Sequence, residues 1–192
     1  MTNKLLLTAA TALFMTACSQ AETPQSEPAP ETPLPTETSG ESLPSMMNAR
    51  GTLTGVDGAE IGGVNLIEGP NGVLLRVTVQ PGSLEPGWHG LHLHQVGDCS
   101  DIGTFTNSGG HIGKVEGGHG LLNPAGPEGG DIPNIWVAAN GSAGYEAFTT
   151  LTTGAELLDD DGAALIIHAD EDDHMSQPIG GAGPRVACAV IN

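Results

Sequence analysis

The sequence predicts an all-β fold, an eight-stranded antiparallel Greek-key barrel or sandwich with two long functional loops. Three observations lead to this class. Helical periodicity is absent, short β-like runs alternate with Gly, Asn, Asp and Pro, and two of these interruptions have the composition of hairpin turns. The predicted strands, in chain order, are 50–56, 61–67, 73–80, 88–96, 132–138, 145–150, 163–168 and 185–191.

The two hairpin turns separate neighbouring predicted strands. GPNG at 69–72 lies between the second and third strands, and NGSAG at 140–144 lies between the fifth and sixth. Asn-Gly and similar pairs favour the short turns of β-hairpins because their backbones readily adopt positive φ. Each of these strand pairs is therefore predicted to be antiparallel.

The fourth predicted strand, in the sequence WHGLHLHQVGDC, holds three of the chain's seven histidines within six residues. Successive side chains of a strand point to opposite faces, so His92 and His94 share one face. His89 shares the other face with Leu91 and Leu93, and it is predicted to be a hydrogen-bonded structural residue if those leucines enter a core. His92 and His94 lie about 7 Å apart in such a strand and can reach one metal ion. Two such histidines can also be merely exposed.

Two connections are too long to be simple turns. One spans 97–131 and contains His111 and His119, and the other spans 169–184 and begins directly after His168. Long loops without secondary structure in a compact domain are usually functional. All seven histidines fall between positions 89 and 174, a concentration that scattered core histidines would not produce.

The N-terminal residues 1–17 predict a signal peptide. Lys4 precedes an apolar run from Leu5 to Met15, which is too short to span a bilayer, and small residues follow before Cys18. This arrangement resembles a bacterial lipoprotein cleavage site, where Cys18 would be lipidated and become the mature N-terminus. Ordinary cleavage with a free cysteine is the alternative. We therefore expect an exported protein of the bacterial cell envelope, lipid-anchored and facing the periplasm.

Segment 18–48 is predicted to be the lipidated cysteine followed by a disordered Pro/Glu-rich tether. Residues 19–48 carry six prolines and five glutamates with almost no large apolar side chains. Such a segment cannot bury enough apolar surface to offset its ordering entropy. Residues 49–192 remain as one domain that is long enough for a real core.

The charge of segment 49–192 excludes one class of partner. Its 18 acidic residues face only four bases, Arg50, Arg76, Lys114 and Arg185, which gives a net charge of −14 with neutral histidine. Neutralising nucleic-acid phosphates needs a cationic surface, so no nucleic-acid partner is expected. Most of the negative charge is consistent with solubility.

The cysteine count also agrees with export. Of three cysteines, a lipidated Cys18 would leave Cys99 and Cys188, which can pair in an oxidising compartment. A bridge between them would close a long loop and contribute about 4 kcal/mol in the chain-entropy treatment.

The segments, taken in order, resemble one protein family. GLHLHQVGDCS at 90–100 resembles the copper-ligand strand of the copper/zinc superoxide dismutases, and GGAGPRVACAVI at 180–191 resembles their C-terminal signature. Between them lie GGH at 109–111, HG at 119–120, GDIPN at 130–134 and IIHADEDD at 166–173. The resemblance covers nearly all of the predicted domain.

The resemblance implies an enzyme that converts superoxide to dioxygen and hydrogen peroxide by copper redox cycling, with copper and zinc as cofactors. It implies His92, His94, His111 and His168 as copper ligands, and His111, His119 and Asp131 as zinc ligands, so that His111 bridges the two metals. It implies Arg185 as the anion-guiding cation beside copper and Asp172 as the carboxylate that links His92 to His119. It also implies a Cys99–Cys188 disulfide.

Two positions depart from the family pattern. The family usually has a histidine three residues before its zinc aspartate, and Glu128 occupies that place here. A carboxylate can bind zinc, but it has a shorter arm than imidazole, so we expect copper to be retained more stoichiometrically than zinc. Ile112-Gly113-Lys114 replaces the usual Phe-Asn-Pro after the bridging histidine.

Three other functions fit parts of the sequence. The first is a non-catalytic copper-binding lipoprotein derived from the family, against which the retained Arg185 argues. The second is a copper-only dismutase with a degraded zinc site. The third is a cupin-like metal enzyme, because Asp98 follows the paired histidines. His174 has no role in the family pattern and is expected to be an exposed loop histidine, and the oligomeric state stays open.

Overall fold

Eight antiparallel strands form almost all the regular structure of residues 47–192, the part of the chain that the computed structural model describes. They are β1 (Asn48–Gly55), β2 (Glu60–Gly69), β3 (Gly72–Val79), β4 (Gly87–His94), β5 (Asp131–Val137), β6 (Ala143–Thr149), β7 (Ala163–His168) and β8 (Arg185–Ile191). A 3-10 turn at Thr106–Ser108 and one helical turn, α1 (Gly154–Leu157), complete the elements of this region. All eight predicted strands are confirmed: the last two have the predicted bounds, and the ends of the other six differ by one or two residues.

The strands form one sheet in the order β5-β4-β7-β8-β1-β2-β3-β6. The pairing of β4 with β7 and of β8 with β1 requires long connections across the barrel ends, as the Greek-key prediction expects. β5 and β6 are the first and last strands, and the Tyr145 hydroxyl of β6 donates to the carbonyl of Pro133 in β5 at 2.7 Å. This contact brings the two edges together, so the sheet is a nearly closed barrel.

Strand alternation explains which side chains fill the barrel. In β3, Val73, Leu75, Val77 and Val79 are buried, whereas Arg76 between them is exposed. β4 and β7 do not show this alternation: the last six residues of β4 and all six of β7 are buried. The long loops cover the outer face of these two strands, and that covered outer face holds the predicted site.

The predicted disulfide is formed between Cys99 and Cys188, whose Cα atoms are 5.9 Å apart. It fastens the start of the first long loop to β8. Because it joins residues 89 positions apart, it lowers the entropy of the unfolded chain and so stabilises the fold by about 4.6 kcal/mol in the chain-entropy treatment. Disulfides of this kind are typical of exported proteins.

The predicted signal peptide 1–17, Cys18 and nearly all of the tether lie outside the described residues. Within residues 47–192, no helix has the length and apolar character needed to cross a membrane.

Candidate metal centre

The histidines of β4 divide between the two faces of the barrel wall. Leu91 and Leu93 lie in the barrel core, while His92 and His94 point outward beneath the long loops and are buried there. His89 points inward, and its two ring nitrogens lie 2.8 Å from the carbonyl oxygens of His168 and Glu85. The predicted separation of a structural histidine from a same-face pair is confirmed.

Two further histidines join the outward pair. His168 ends β7, the strand beside β4, and its ring centroid is 4.9 Å from that of His92. His111 comes from the first long loop, forms an isolated bridge with His94, and has its ring centroid 4.2 Å from that of His92. The barrel and the loop thus bring four predicted ligands into one buried cluster.

Each outward imidazole is oriented by a hydrogen bond from one ring nitrogen. Nδ1 of His94 bonds the carbonyl of Gly109 at 2.9 Å, and Nδ1 of His168 bonds the carbonyl of Gly183 at 2.9 Å. Nε2 of His92 bonds Oδ2 of Asp172 at 2.8 Å. These acceptors place the proton on the bonded nitrogen and leave the other nitrogen with a free lone pair.

The three free nitrogens form what we call the nitrogen set: Nδ1 of His92, Nε2 of His94 and Nε2 of His168. All three are buried without a hydrogen-bond partner among the described residues, and the three histidines each bring one ligand atom to within 4.8 Å of the others. Leaving buried polar atoms unpaired is costly. Convergent imidazole nitrogens suit copper, so the set fits that metal.

A second group of atoms, which we call the mixed set, lies on the other side of His111. It comprises Nδ1 of His111, Nδ1 of His119, Oδ1 of Asp131 and Oε2 of Glu128. Nδ1 of His111 is 2.9 Å from Glu128 and 3.2 Å from Asp131, and Nδ1 of His119 is 2.9 Å from Asp131. Two imidazole nitrogens and two carboxylate oxygens are a ligand combination that zinc accepts.

Backbone amides hold both carboxylates of the mixed set. Oδ2 of Asp131 accepts from the N–H groups of Gly120 at 2.7 Å and Glu128 at 2.9 Å. Oε1 of Glu128 accepts from the N–H of Val115 at 3.0 Å. Each carboxylate therefore uses one oxygen for the loop and presents the other to the set, and the short arm of Glu128 does not keep it away.

Asp172 connects the two sets, as the resemblance implies. Its Oδ2 accepts from Nε2 of His92 at 2.8 Å, and its Oδ1 accepts from Nε2 of His119 at 3.1 Å. Burial acts to raise the pKa of Asp172, but the hydrogen bonds from His119 and His92 outweigh it and hold the pKa well below its usual range. The carboxylate is therefore ionised at neutral pH.

The two sets differ in their protonation in the metal-free protein. Burial lowers the pKa of His92 to about 3 and that of His168 to about 4, and it takes the pKa of His94 well below its usual value. Burial also acts to lower the pKa of His119, but hydrogen bonds to Asp131 and Asp172 raise it to about 9. At neutral pH the nitrogen set is neutral, whereas His119 carries a proton.

Arg185 lies beside the nitrogen set at the start of β8, paired across the sheet with His168. Its guanidinium donates to Oγ of Ser108 at 3.0 Å, to the carbonyl of Gly109 at 2.7 Å and to the carbonyl of Phe105. It lines a cavity of about 280 Å³ together with His94, His111 and Lys114. A cation is thus fixed in the opening that leads to the histidines.

Several residues of the site were not found from the sequence. The carbonyls of Gly109 and Gly183 carry no sequence signal, because every residue has a carbonyl group. The expectation that His174 is an exposed loop histidine is wrong, because its side chain is only 18% exposed and its Nδ1 is 3.4 Å from Oδ2 of Asp172. Its place two residues after Asp172 was the available signal.

These features define a class: a Greek-key β-barrel with two adjacent sets of candidate metal ligands, with the His111 ring beside His92 on one side and Glu128 on the other. Residues 61–191 match the family model described as copper/zinc superoxide dismutase (SODC). The chain belongs to the copper/zinc superoxide dismutase family, and superoxide dismutase activity with copper and zinc as cofactors follows from that membership.

Individual relatives agree with the family match. The chain is 46% identical over 142 residues to "Superoxide dismutase [Cu-Zn]" of Caulobacter vibrioides, covering 70% of this chain and 80% of that protein. It is 38% identical to "Superoxide dismutase [Cu-Zn] 2" of Aquifex aeolicus, covering 76% and 86%. Among solved structures, Cu/Zn superoxide dismutase from Brucella abortus superposes with a TM-score of 0.63 at 25% identity, covering 76% of this chain and all of that one.

Proposed function

We propose that this chain dismutates superoxide to dioxygen and hydrogen peroxide with copper held by His92, His94, His111 and His168. The observation that carries this assignment is the nitrogen set, whose buried lone pairs converge without partners among the described residues. Bound copper supplies the one-electron redox change that both halves of the dismutation need. The protein supplies the imidazoles, their orientation and access for the anion.

The residues around the nitrogen set have separate roles in this proposal. The carbonyls of Gly109 and Gly183 keep the donor protons of His94 and His168 away from the metal side. Nδ1 of His111 faces the mixed set, so its Nε2, which has no hydrogen-bond partner among the described residues, is the atom that can bind copper or hold a proton. Arg185 attracts superoxide to the cavity.

A domain with a net negative charge can still attract an anion, because only the charges close to the cavity act strongly on it. The negative groups far from the cavity are screened beyond about 8 Å at physiological ionic strength. Arg185 and Lys114 line the cavity itself, together with one carboxylate, that of Glu128. The cations outnumber the carboxylate there, so the local field at the opening differs in sign from the net charge of the domain.

A copper-holding protein without catalytic activity is the second candidate, because Glu128 stands where the family usually has a zinc-binding histidine. The position of Arg185 favours the enzyme, since storage of a metal cation needs no fixed cation beside it. The test is elemental analysis of the purified, metal-loaded chain together with a superoxide dismutation assay. We expect one copper per chain and copper-dependent dismutation, whereas bound copper without dismutation would support the carrier.

We propose zinc in the mixed set, with Glu128 as the fourth ligand beside His111, His119 and Asp131. Glu128→Gln preserves size and an oxygen for the Val115 N–H but removes the negative charge. We expect it to weaken zinc binding by roughly tenfold or more, with copper content retained. Competitive zinc titration against a chelator measures this, with the exposed Glu116→Gln of the same loop as control; equal affinities for the two variants would remove Glu128 from the zinc site.

The sequence-based expectation that a histidine would hold zinc better at position 128 is tested by Glu128→His in the same titration. Imidazole is a good zinc ligand. The variant gives up one hydrogen bond, because the second ring nitrogen carries a proton and cannot accept from the N–H of Val115. The gain from the imidazole ligand should exceed this loss. We expect higher zinc occupancy at limiting zinc. Wild type that binds zinc as tightly as this variant would show that the carboxylate is an adequate ligand.

Zinc binding should release a proton, whereas copper binding to the nitrogen set should not. A pKa of His119 raised to about 9 means that this imidazole is protonated at pH 7 and that zinc must displace the proton. Apparent zinc affinity should therefore rise roughly tenfold per pH unit between pH 7 and 9. Calorimetric titration in buffers of different ionisation enthalpy measures proton release directly, and zinc uptake without a buffer effect would contradict the prediction.

We propose that the protein is anchored to the cell envelope through a lipid on Cys18 and faces the periplasm. The signal-like residues 1–17, the Pro/Glu-rich segment and the disulfide of the domain support this location. Intact-mass analysis of the membrane fraction should find acyl groups on a chain that begins at Cys18. The Cys18→Ser variant should leave that fraction, and a soluble wild-type chain beginning elsewhere would refute the anchor.

A further inference from the structure

Asp172 receives more donors than the two imidazoles that the family resemblance assigns to it. Besides His92 and His119, the backbone N–H of His174 donates to Oδ1 at 2.7 Å, and Nδ1 of His174 lies 3.4 Å from Oδ2. The last distance is an electrostatic contact rather than a full hydrogen bond. The three hydrogen bonds use three of the roughly four lone-pair sites of a carboxylate, which leaves one for Nδ1 of His174, a buried atom without a hydrogen-bond partner among the described residues.

Asn134 determines which nitrogen of His174 carries the proton. The backbone N–H of Asp172 donates to Oδ1 of Asn134 at 3.0 Å, which orients the amide group. Nδ2 of Asn134 donates to the carbonyl of Asp172 at 2.8 Å and lies 3.3 Å from Nε2 of His174. An amide nitrogen only donates, so Nε2 of His174 accepts and the proton of the neutral ring lies on Nδ1. That N–H faces Asp172.

The backbone of His174 also helps to hold the residue in place, through its conformation and a hydrogen bond to the first long loop. Its φ of 59° lies in the left-handed region, which is uncommon outside glycine. Its carbonyl accepts from the N–H of Leu122 at 3.1 Å, and a Cβ on Gly120 would lie 2.2 Å from that carbonyl oxygen. Gly120 directly follows His119, so His174 joins the second long loop to the first one beside a proposed zinc ligand.

We propose that His174 is a positioning residue whose Nδ1–H, supported by the amide of Asn134, holds the Asp172 carboxylate between the two metal sites. In that orientation Asp172 binds Nε2 of His92 and of His119, which turns Nδ1 of each ring toward its own ligand set. The inference rests on the proposed function in taking His92 and His119 as metal ligands. Because one carboxylate orients one ligand in each set, losing its support should weaken both sites together.

The test uses the full chain with His174→Asn, because asparagine tolerates the left-handed backbone conformation while the imidazole is removed. The matched control is Glu171→Gln, an exposed residue of the same loop. Chelator competition gives the Cu²⁺ and Zn²⁺ affinities of each chain. We expect His174→Asn to weaken both by roughly tenfold, the size usual for loss of a group that orients metal ligands, and Glu171→Gln to match wild type.

A second measurement separates positioning from general stability. Long-range ¹H–¹⁵N spectra of the metal-free protein report which ring nitrogen of each neutral histidine carries its proton. Wild type should show the proton on Nδ1 of His174 and on Nε2 of His92, and His174→Asn should show His92 exchanging between both tautomers. A proton on Nε2 of His174, or a variant that loses thermal stability while His92 keeps one tautomer, overturns the inference. Wild type without copper-dependent activity would instead refute the proposed function and leave these spectra to decide the positioning role.

Discussion

His92→Ala is expected to lose its copper and to reduce dismutation to the background rate. His92 contributes Nδ1 to the nitrogen set and, through Nε2, holds Oδ2 of Asp172 at 2.8 Å. The variant therefore loses a proposed copper ligand and leaves the buried carboxylate of Asp172 short of one donor. Copper content by elemental analysis and the dismutation rate at matched protein concentration measure the effect.

The fold should survive this substitution, because His92 points away from the core that Leu91 and Leu93 fill. Circular dichroism should therefore be unchanged, which separates loss of the ligand from unfolding. Zinc content should fall less than copper content, since the mixed set keeps its own four atoms. Full activity with unchanged copper in His92→Ala would remove His92 from the copper site.

Arg185→Glu is expected to lower the dismutation rate by roughly tenfold or more at low ionic strength, with copper retained. The substitution reverses the charge in the cavity and removes the donors to Ser108 and Gly109. Dismutation by wild type should slow as salt is added, because salt screens the attraction. In Arg185→Glu this dependence should flatten or reverse, which stopped-flow rates across a salt series would show.

Two further variants make the Arg185 result specific. Arg50→Glu changes the net charge equally on an exposed position of β1, away from the cavity, and should leave the rate nearly unchanged. Arg185→Lys keeps the cation and should restore most of the rate and the sign of the salt dependence. If Arg50→Glu slows the enzyme as much as Arg185→Glu, net charge rather than a local guide governs capture of superoxide.

The strands and the inward or outward direction of their side chains were determined by the sequence itself. Leu91, His92, Leu93 and His94 alternate, and alternation is a local property of extended chain, because successive side chains point to opposite faces whatever the rest of the fold does. The same locality made the hairpin turns recognisable. The proposed ligands could be named because the motifs that resemble the family keep their order along the chain.

Only the tertiary structure decided what orients those ligands. The carbonyls that bond His94 and His168 belong to Gly109 and Gly183, each 15 residues away in sequence, and nothing in a glycine predicts that its carbonyl will meet an imidazole. Closure of the barrel, too, depends on the meeting of β5 and β6, whose edges no local pattern brings together.

Glu128 and His174 are two single residues whose surroundings were decided by the tertiary structure and not by the sequence. Residue type alone could not tell whether the shorter carboxylate reaches the mixed set, and the loop carries Glu128 to within 2.9 Å of Nδ1 of His111 and gives its other oxygen the N–H of Val115. His174 looked like a loop histidine without a role, but Asn134, 40 residues earlier, sets its proton toward Asp172. Hydrogen bonds between distant segments depend on three-dimensional approach, and the sequence order of residues does not encode that approach locally.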